Sequence, residues 1–339
     1  MNSLPPEVQL DILKYVNFNQ LFSVRQTNCY FNNFINEYEN ELARLKLHKL
    51  EIVNVFHHDR RLNPRLTIPL GSGIFKFILN SQLEKKWQTA IDKSLPLYLH
   101  NYQNQFVVVL EKTLIRYYNV KLPTVPKNIK EMTILRCWME NIFKCAYECF
   151  YCYGCIFNPE MINLLFDDDK TIPLQFHTQE LFLYPTNDIT CKNILNFASI
   201  HLAISEFFNI SFNENIISEQ NIDILFKFLI IGGNNLPKFC FKFMKFSLFT
   251  RLYDLIFRFI LTSKDCSKML TDIELYCISS TKFEFNVKAE NADIKQFNGV
   301  KYIKYTIVNR HDPKARFSFS NEEWKTGSYF RLKIKIKRF

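Results

Sequence analysis

Phe207-Phe208-Asn209-Ile210-Ser211-Phe212-Asn213 and Lys238-Phe239-Cys240-Phe241-Lys242-Phe243-Met244 both alternate along the chain. A period of two is the signature of a strand with one buried face. Phe208, Ile210 and Phe212 share one side against Asn209, Ser211 and Asn213, and Phe239, Phe241 and Phe243 oppose Cys240, Lys242 and Met244. Outward from these, Leu174 and Phe176 oppose Gln175, His177 and Gln179, while Ile273 and Leu275 oppose Glu274 and Tyr276. Between the strands, Thr190–Ile204, Ser218–Ile231 and Arg251–Thr262 have helical patterns, the second stopped by Gly232-Gly233. Upstream, Arg136–Cys149 reads as helix and Phe150–Asn158 as strand, and Pro159 opens a short helix ending at an Asp167-Asp168-Asp169 turn.

The expected strand starts at 150, 173, 207, 238 and 272 are spaced by 23, 34, 31 and 34 residues. This recurrence predicts an α/β fold: an irregular, open, leucine-rich-repeat-like solenoid over residues 131–281. No Leu-x-x-Leu-x-Leu motif stands in any repeat, so one compact α/β sheet with right-handed crossovers is the alternative. In a solenoid the polar face is the concave surface where partners bind. Gln175, His177, Gln179, Asn209, Ser211, Lys242, Glu274 and Tyr276 are therefore the candidate target-binding residues.

Residues 51–130 form an irregular first part of this platform, with a helix from Trp87, a strand at Phe106–Lys112 and a linker at Pro123–Lys127. Residues 282–339 read as β-rich, with strands at Val300–Val308 and Tyr329–Lys337, and carry 14 Lys/Arg against 6 Asp/Glu. In Arg331–Arg338 the lysines alternate rather than cluster. That favours an edge strand guarded by charge over an import or nucleic-acid patch.

The N-terminal segment, residues 1–50, reads differently. Leu4-Pro5-Pro6-Glu7 suits a helix start, and Val8, Ile12 and Val16 form one apolar stripe with Leu13 beside them. A second short helix carries Leu21, Phe22 and Val24, and a third carries Phe31, Phe34, Ile35 and Tyr38. So small a core leaves apolar surface for a partner to cover.

Leu4-Pro5-x-Glu7, Ile12-Leu13-x-Tyr15-Val16, Leu21–Asn28 and the aromatic Phe31 together resemble the F-box. Gln26-Thr27-Asn28 departs from the apolar residue and Val-Ser usual there, and in this the chain resembles the expanded nematode F-box sets. That likeness extends through Trp87–Lys93, Phe157–Phe166 and Thr262–Lys268. The resemblance implies docking on a Skp-type adaptor, and through it on a cullin–RING ubiquitin ligase, with Leu4, Pro5, Val8, Ile12, Leu13, Val16 and Leu21 as adaptor-binding residues. It also implies a substrate receptor that binds a protein target, with catalysis on other subunits. A non-degradative, adaptor-bound scaffold is the alternative.

Composition agrees with a globular, non-enzymatic reading. The 339 residues include 34 Phe and 16 Tyr but only 7 Gly, little material for phosphate-cradling loops. Gly71-Ser72-Gly73 lacks a following Lys-Ser or Lys-Thr, Asp167–Asp169 lacks the alternating ligands of a calcium loop, and His57-His58 stands among no other metal ligands. Cys145, Cys149, Cys152 and Cys155 have zinc-like spacing. With the first two expected on a helix and the others at opposite parity on a strand, no metal or other cofactor is expected. No signal-peptide or membrane-spanning pattern stands out, which predicts a cytoplasmic or nuclear protein with reduced cysteines.

Overall fold

The computed structural model describes residues 4–39, 41–54, 67–68, 77–100, 106–113, 116–169, 172, 174–212, 219–231, 238–283 and 292–339. Asn213, His57-His58, Gly71–Gly73 and Gly232-Gly233 lie outside them, as do the side chains of Phe243 and Met244. The chain is mixed α/β and divides into two compact units. The first comprises residues 1–98, 104–148 and 157–178, and the second residues 99–103, 149–156 and 179–339.

The first unit opens with three short helices, α1 (Pro6–Lys14), α2 (Phe18–Arg25) and α3 (Cys29–Glu37). Asn17 and Gln20 cap α2 reciprocally, and Asn28 caps α3 by accepting from the Phe31 N–H at 2.9 Å. Leu13, Leu21, Phe34, Ile35 and Leu42 form the module's core. Strand β1 (Leu45–Asn54) follows, then β2 (Thr67–Ile68) and helix α4 (Ser81–Asp92). After β3 (Tyr98–Leu99), strands β4 (Phe106–Thr113) and β5 (Arg116–Val120) complete the order β1-β4-β5-β2. Helix α5 (Ile129–Phe143) begins earlier than the sequence pattern suggested and ends before Cys145. Asn128 accepts from the Glu131 N–H at 2.9 Å and Glu131 accepts from the Lys127 N–H at 2.8 Å, which fixes that start.

Strand β6 runs Cys145–Tyr153, so Cys145 and Cys149 stand on a strand and not on the expected helix. Short β7 (Ile156–Phe157), α6 (Pro159–Leu165) and β8 (Phe176–Tyr184) come next. Trp87 of α4 is fully buried and donates its indole N–H to the Leu164 carbonyl at 3.2 Å. Arg136 of α5 donates to the Leu165 carbonyl, pairs with Asp168 at 2.8 Å and lies over the Phe77 ring at 4.1 Å. This buried cation holds the Asp167–Asp169 turn, which is therefore an ion-paired structural feature.

The second unit contains α7 (Asp188–His201), β9 (Leu202–Ser211), α8 (Glu219–Ile231), β10 (Phe239–Met244), α9 (Phe246–Thr262) and β11 (Asp272–Ser279). β9, β10 and β11 are parallel, with Phe208 level with Phe239 and Phe239 level with Ile273. Phe208, Ile210, Phe239, Phe241, Ile273 and Leu275 are completely buried, as the alternation predicts. Phe228 of α8 packs its ring against Phe208 and Phe239, so this face is the one the helices cover.

Beyond β11 the sheet turns antiparallel through β12 (Asp293–Phe297), β13 (Val300–Val308), β14 (Arg316–Thr326) and β15 (Tyr329–Arg338), in the order β11-β15-β14-β13-β12. Helix α9 covers this part too. Tyr253 shares a 2.6 Å hydroxyl contact with Tyr305, and Phe257 packs on Phe319. β15 is paired on both sides, with β11 and with β14. The expected lysine-guarded edge strand is thus an interior strand, and its lysines answer the carboxylates of β11 instead of guarding an edge.

Candidate functional site

Two surfaces hold the residues that the sequence singles out. On the N-terminal module, Leu4, Val8 and Ile12 are 37%, 42% and 39% exposed. Val8 and Ile12, four residues apart, stand in one row along the outer side of α1, and Leu4 stands just before its N-cap. Pro5 is exposed at the N-cap, and Val16 is half-buried against the module core. Leu13 and Leu21 are not on this row: at 1% and 3% exposure they are core residues, and their contribution to docking is to hold the helices that carry it. Tyr15, Phe22 and Tyr30, which the apolar pattern did not select for docking, are exposed.

Gln9 explains how α1 keeps its outer row outward. It is fully buried, donates to the Leu4 carbonyl at 2.7 Å and accepts from the Tyr30 hydroxyl at 3.0 Å. The module is also fastened within its unit. Glu39 pairs with Arg25 at 3.6 Å and with Lys144 at 3.1 Å, and Arg44 donates to the Phe143 carbonyl at 2.6 Å.

The second surface is the face of the second unit's sheet opposite the helices. Register across the strands sets Lys242 level with Ser211, Cys240 level with Glu274, Glu274 level with Lys335, and Lys335 level with Ser320, which faces Lys304. Of the expected target-binding set, Asn209, Ser211, Lys242, Glu274 and Tyr276 come together on this face. Gln179 belongs to the same unit and is exposed, whereas Gln175 and His177 belong to the first unit. Burial, with the Arg44 guanidinium nearby, pushes His177 down to about 4, so it is neutral at pH 7.

Not every polar residue of the face is solvated as expected. Asn209 is buried, and Glu274 is covered by lysines: Lys333 at 3.0 Å, Lys238 at 3.4 Å and Lys335 at 3.7 Å. Lys337 pairs with Asp272 at 3.2 Å. An open cavity of about 610 Å³ lies beside this network, lined by Lys304, Thr306, Ser318, Ser320, Lys335 and Lys337.

An aromatic cluster, missed in the sequence, continues the face. Tyr151 stacks on Phe182 at 4.6 Å and Tyr153 on Tyr184 at 4.7 Å, both nearly parallel, and Phe207 meets Phe182 edge-on at 6.1 Å. Lys238 sits 5.2 Å from the Phe207 ring centre. These rings are half-buried or exposed while their strand neighbours Phe150, Cys152, Leu181 and Leu183 are completely buried.

The cysteines do not assemble a site. Cys145 and Cys149 share one parity of β6, Cys152 has the other, and Cys152 and Cys155 are fully buried. Among the described residues no group of His, Cys, Asp or Glu is placed to hold a metal ion, and no helix is long and apolar enough to cross a membrane.

Against known proteins, a family model of the F-box domain matches residues 1–41, and a model described as a domain of unknown function (DUF8381) matches residues 68–213. No curated protein and no solved structure matches the chain.

Proposed function

From the premise that this chain is an F-box protein, its F-box spanning residues 1–41, we propose that it is a substrate receptor of a Skp–cullin–F-box ubiquitin ligase. The observation that carries this reading is the exposed apolar set Leu4, Val8 and Ile12 on a module that matches the F-box model. Apolar helix faces of this kind enter a complementary groove, and a few central anchors dominate the affinity. Residues 1–50 dock the adaptor, residues 131–281 act as an open repeat-like platform with an irregular lead-in at 51–130, and the basic segment 282–339 adds to the same platform. The parallel strands β9, β10 and β11, each separated from the next by a helix, support the repeat-like reading.

The chain contributes proximity in this role. A target held on the second unit is kept near the ligase, which raises the local concentration of its lysines. Transfer chemistry belongs to the other subunits, and the place of action is the cytoplasm or nucleus.

The test is adaptor pull-down with the full chain, followed by assay of co-purifying proteins for ubiquitylation. Adaptor capture with ubiquitylated partners supports the receptor. Adaptor capture with stable, unmodified partners points to a scaffold. Failure of a folded chain to capture any Skp-type adaptor overturns the reading.

A further inference from the structure

We propose that the open sheet face of the second unit docks an extended, acidic segment of a partner protein. Its apolar side chains would lie against the Tyr151–Tyr153–Phe182–Tyr184–Phe207 cluster and its carboxylates on lysines of the strands beyond β9, from β10 to β13. That the partner is a ligase target rests on the receptor reading above; the chemistry of the segment rests on the face itself.

Charge complementarity sets the sign. Lys242, Lys304, Lys333, Lys335 and Lys337 share the face with Asp272, Glu274, Glu322 and Asp293, the last directly across from Lys304 but ion-paired with Lys295 at 2.8 Å. Asp272 and Glu274 are already engaged by this chain's own lysines, Asp293 by Lys295, and among the described residues no carboxylate makes an ion pair with Lys242 or Lys304. The surface therefore keeps cationic charge unanswered beside hydroxyls of Thr306, Ser318 and Ser320 that can donate to an anion.

The aromatic cluster decides between a protein and a nucleic acid. A nucleobase binds aromatic side chains by stacking on an open ring face. Here Tyr151 and Tyr153 each give a face to a cross-strand ring at 4.6–4.7 Å, with planes within 8°. Tyr153, 42% exposed, then offers an amphipathic ring to aliphatic side chains and peptide groups. Aromatic anchors flanked by cations are also the composition of energetically dominant protein contacts.

The experiment uses the full chain and three labelled probes read by fluorescence anisotropy: a glutamate–tyrosine copolymer, polyglutamate and oligouridylate. The copolymer is expected to bind tightest. Tyr153→Ala weakens the copolymer by about tenfold with little effect on polyglutamate, whereas Lys242→Glu with Lys304→Glu weakens both by about tenfold. The lysine variant alters side chains that are not core and serves as the second readout if Tyr153→Ala fails to fold. Tightest binding of oligouridylate, or unchanged copolymer affinity in the folded variants, overturns the proposal. Adaptor capture is measured on the same samples. Its loss in the wild-type chain sinks the receptor reading while leaving the peptide result standing, and the reverse pattern sinks only the acidic-segment proposal.

Discussion

Glu274 of β11 and Lys333 of β15 meet at 3.0 Å along a diagonal, because the residue directly across from Glu274 is Lys335. One carboxylate thus serves two lysines of one strand and, with Lys238, a third from the other side. Burial by itself would raise the Glu274 carboxyl. The hydrogen bond from Lys333 and the charges of Lys333, Lys238 and Lys335 outweigh it and hold the group below its ordinary value.

A carboxyl depressed in the folded state stabilises the protein above its unfolded value, about 4.3, and that contribution is lost as pH falls through the lower, folded value. Glu274→Gln should therefore be less stable at neutral pH by about 1–3 kcal/mol, since three ammonium groups lose their shared acceptor. It should also lose less stability than the wild type on acidification below about pH 4.3. Urea midpoints measured across that range check both. Parallel acid limbs in the two proteins would dismiss the assignment.

Ile12 and Leu13 are adjacent, but one is 39% exposed and the other 1%. Ile12→Asp should leave the melting temperature of the chain nearly unchanged and cost adaptor affinity of order 3–5 kcal/mol, because docking would bury an unpaired charge. Leu13→Ala should instead destabilise the module by about 2–5 kcal/mol and weaken adaptor capture only through unfolding. Calorimetric titration with the adaptor beside thermal melts separates the two. Full affinity in Ile12→Asp would falsify the docking row.

Phe241 has no exposure and packs with its ring centre 4.4 Å from that of Phe239, the planes tilted by 48°. Phe241→Ala should open a core cavity and cost about 3–5 kcal/mol. Chemical denaturation of the folded variant reads this directly, and a loss under about 1 kcal/mol would mean the site collapses around the deletion.

Arg136 is buried to 3% and binds Leu165, Asp168 and Asp169 while lying on Phe77. Arg136→Leu should cost about 2–4 kcal/mol, since Asp168 and the Leu165 carbonyl lose their donor together. A double-mutant cycle with Asp168→Asn should show coupling, and strict additivity would place the effect in packing alone.

Strands at Val300–Val308 and Tyr329–Arg338 were legible almost to the residue because Ile303, Tyr305 and Ile307 alternate with Lys304, Thr306 and Val308, and Leu332, Ile334 and Ile336 with Lys333, Lys335 and Lys337. β14 between them escaped notice because Asn321 and Glu323 occupy buried positions where the period demands apolar residues. The start of α5 at Ile129 was hidden in a proline-bearing stretch, although Asn128 caps the Glu131 N–H and Glu131 accepts from the Lys127 N–H. Asparagine also caps the helices beginning at Phe18, Cys29, Ser81, Pro159 and Asp188, a signal that would have placed several starts.

The docking row was half visible in the sequence. Spacing put Val8, Ile12 and Val16 in one stripe with Leu13 beside them, but periodicity alone does not say which apolar residues face inward. The aromatic cluster was not visible at all. In β8 the buried positions change from even to odd numbers after Thr178, so the parity of Gln175, His177 and Gln179 does not extend to Phe182 and Tyr184. The Tyr151–Phe182 stack also depends on β6 and β8 being neighbours, which is a matter of strand order.

Because β15 lies between β11 and β14, the sheet of the second unit cannot close while the chain is still being made. Until residues 329–338 leave the ribosome, β11 and β14 each present an unsatisfied edge, and β11 lacks the lysines that neutralise Asp272 and Glu274. Open strand edges are aggregation-prone and are what chaperones meet in partly made chains. A premature stop anywhere before Tyr329 would leave this unit in that state permanently. Such a truncated product would enter the cell as a client of protein quality control, while its N-terminal module, already complete, could still occupy an adaptor.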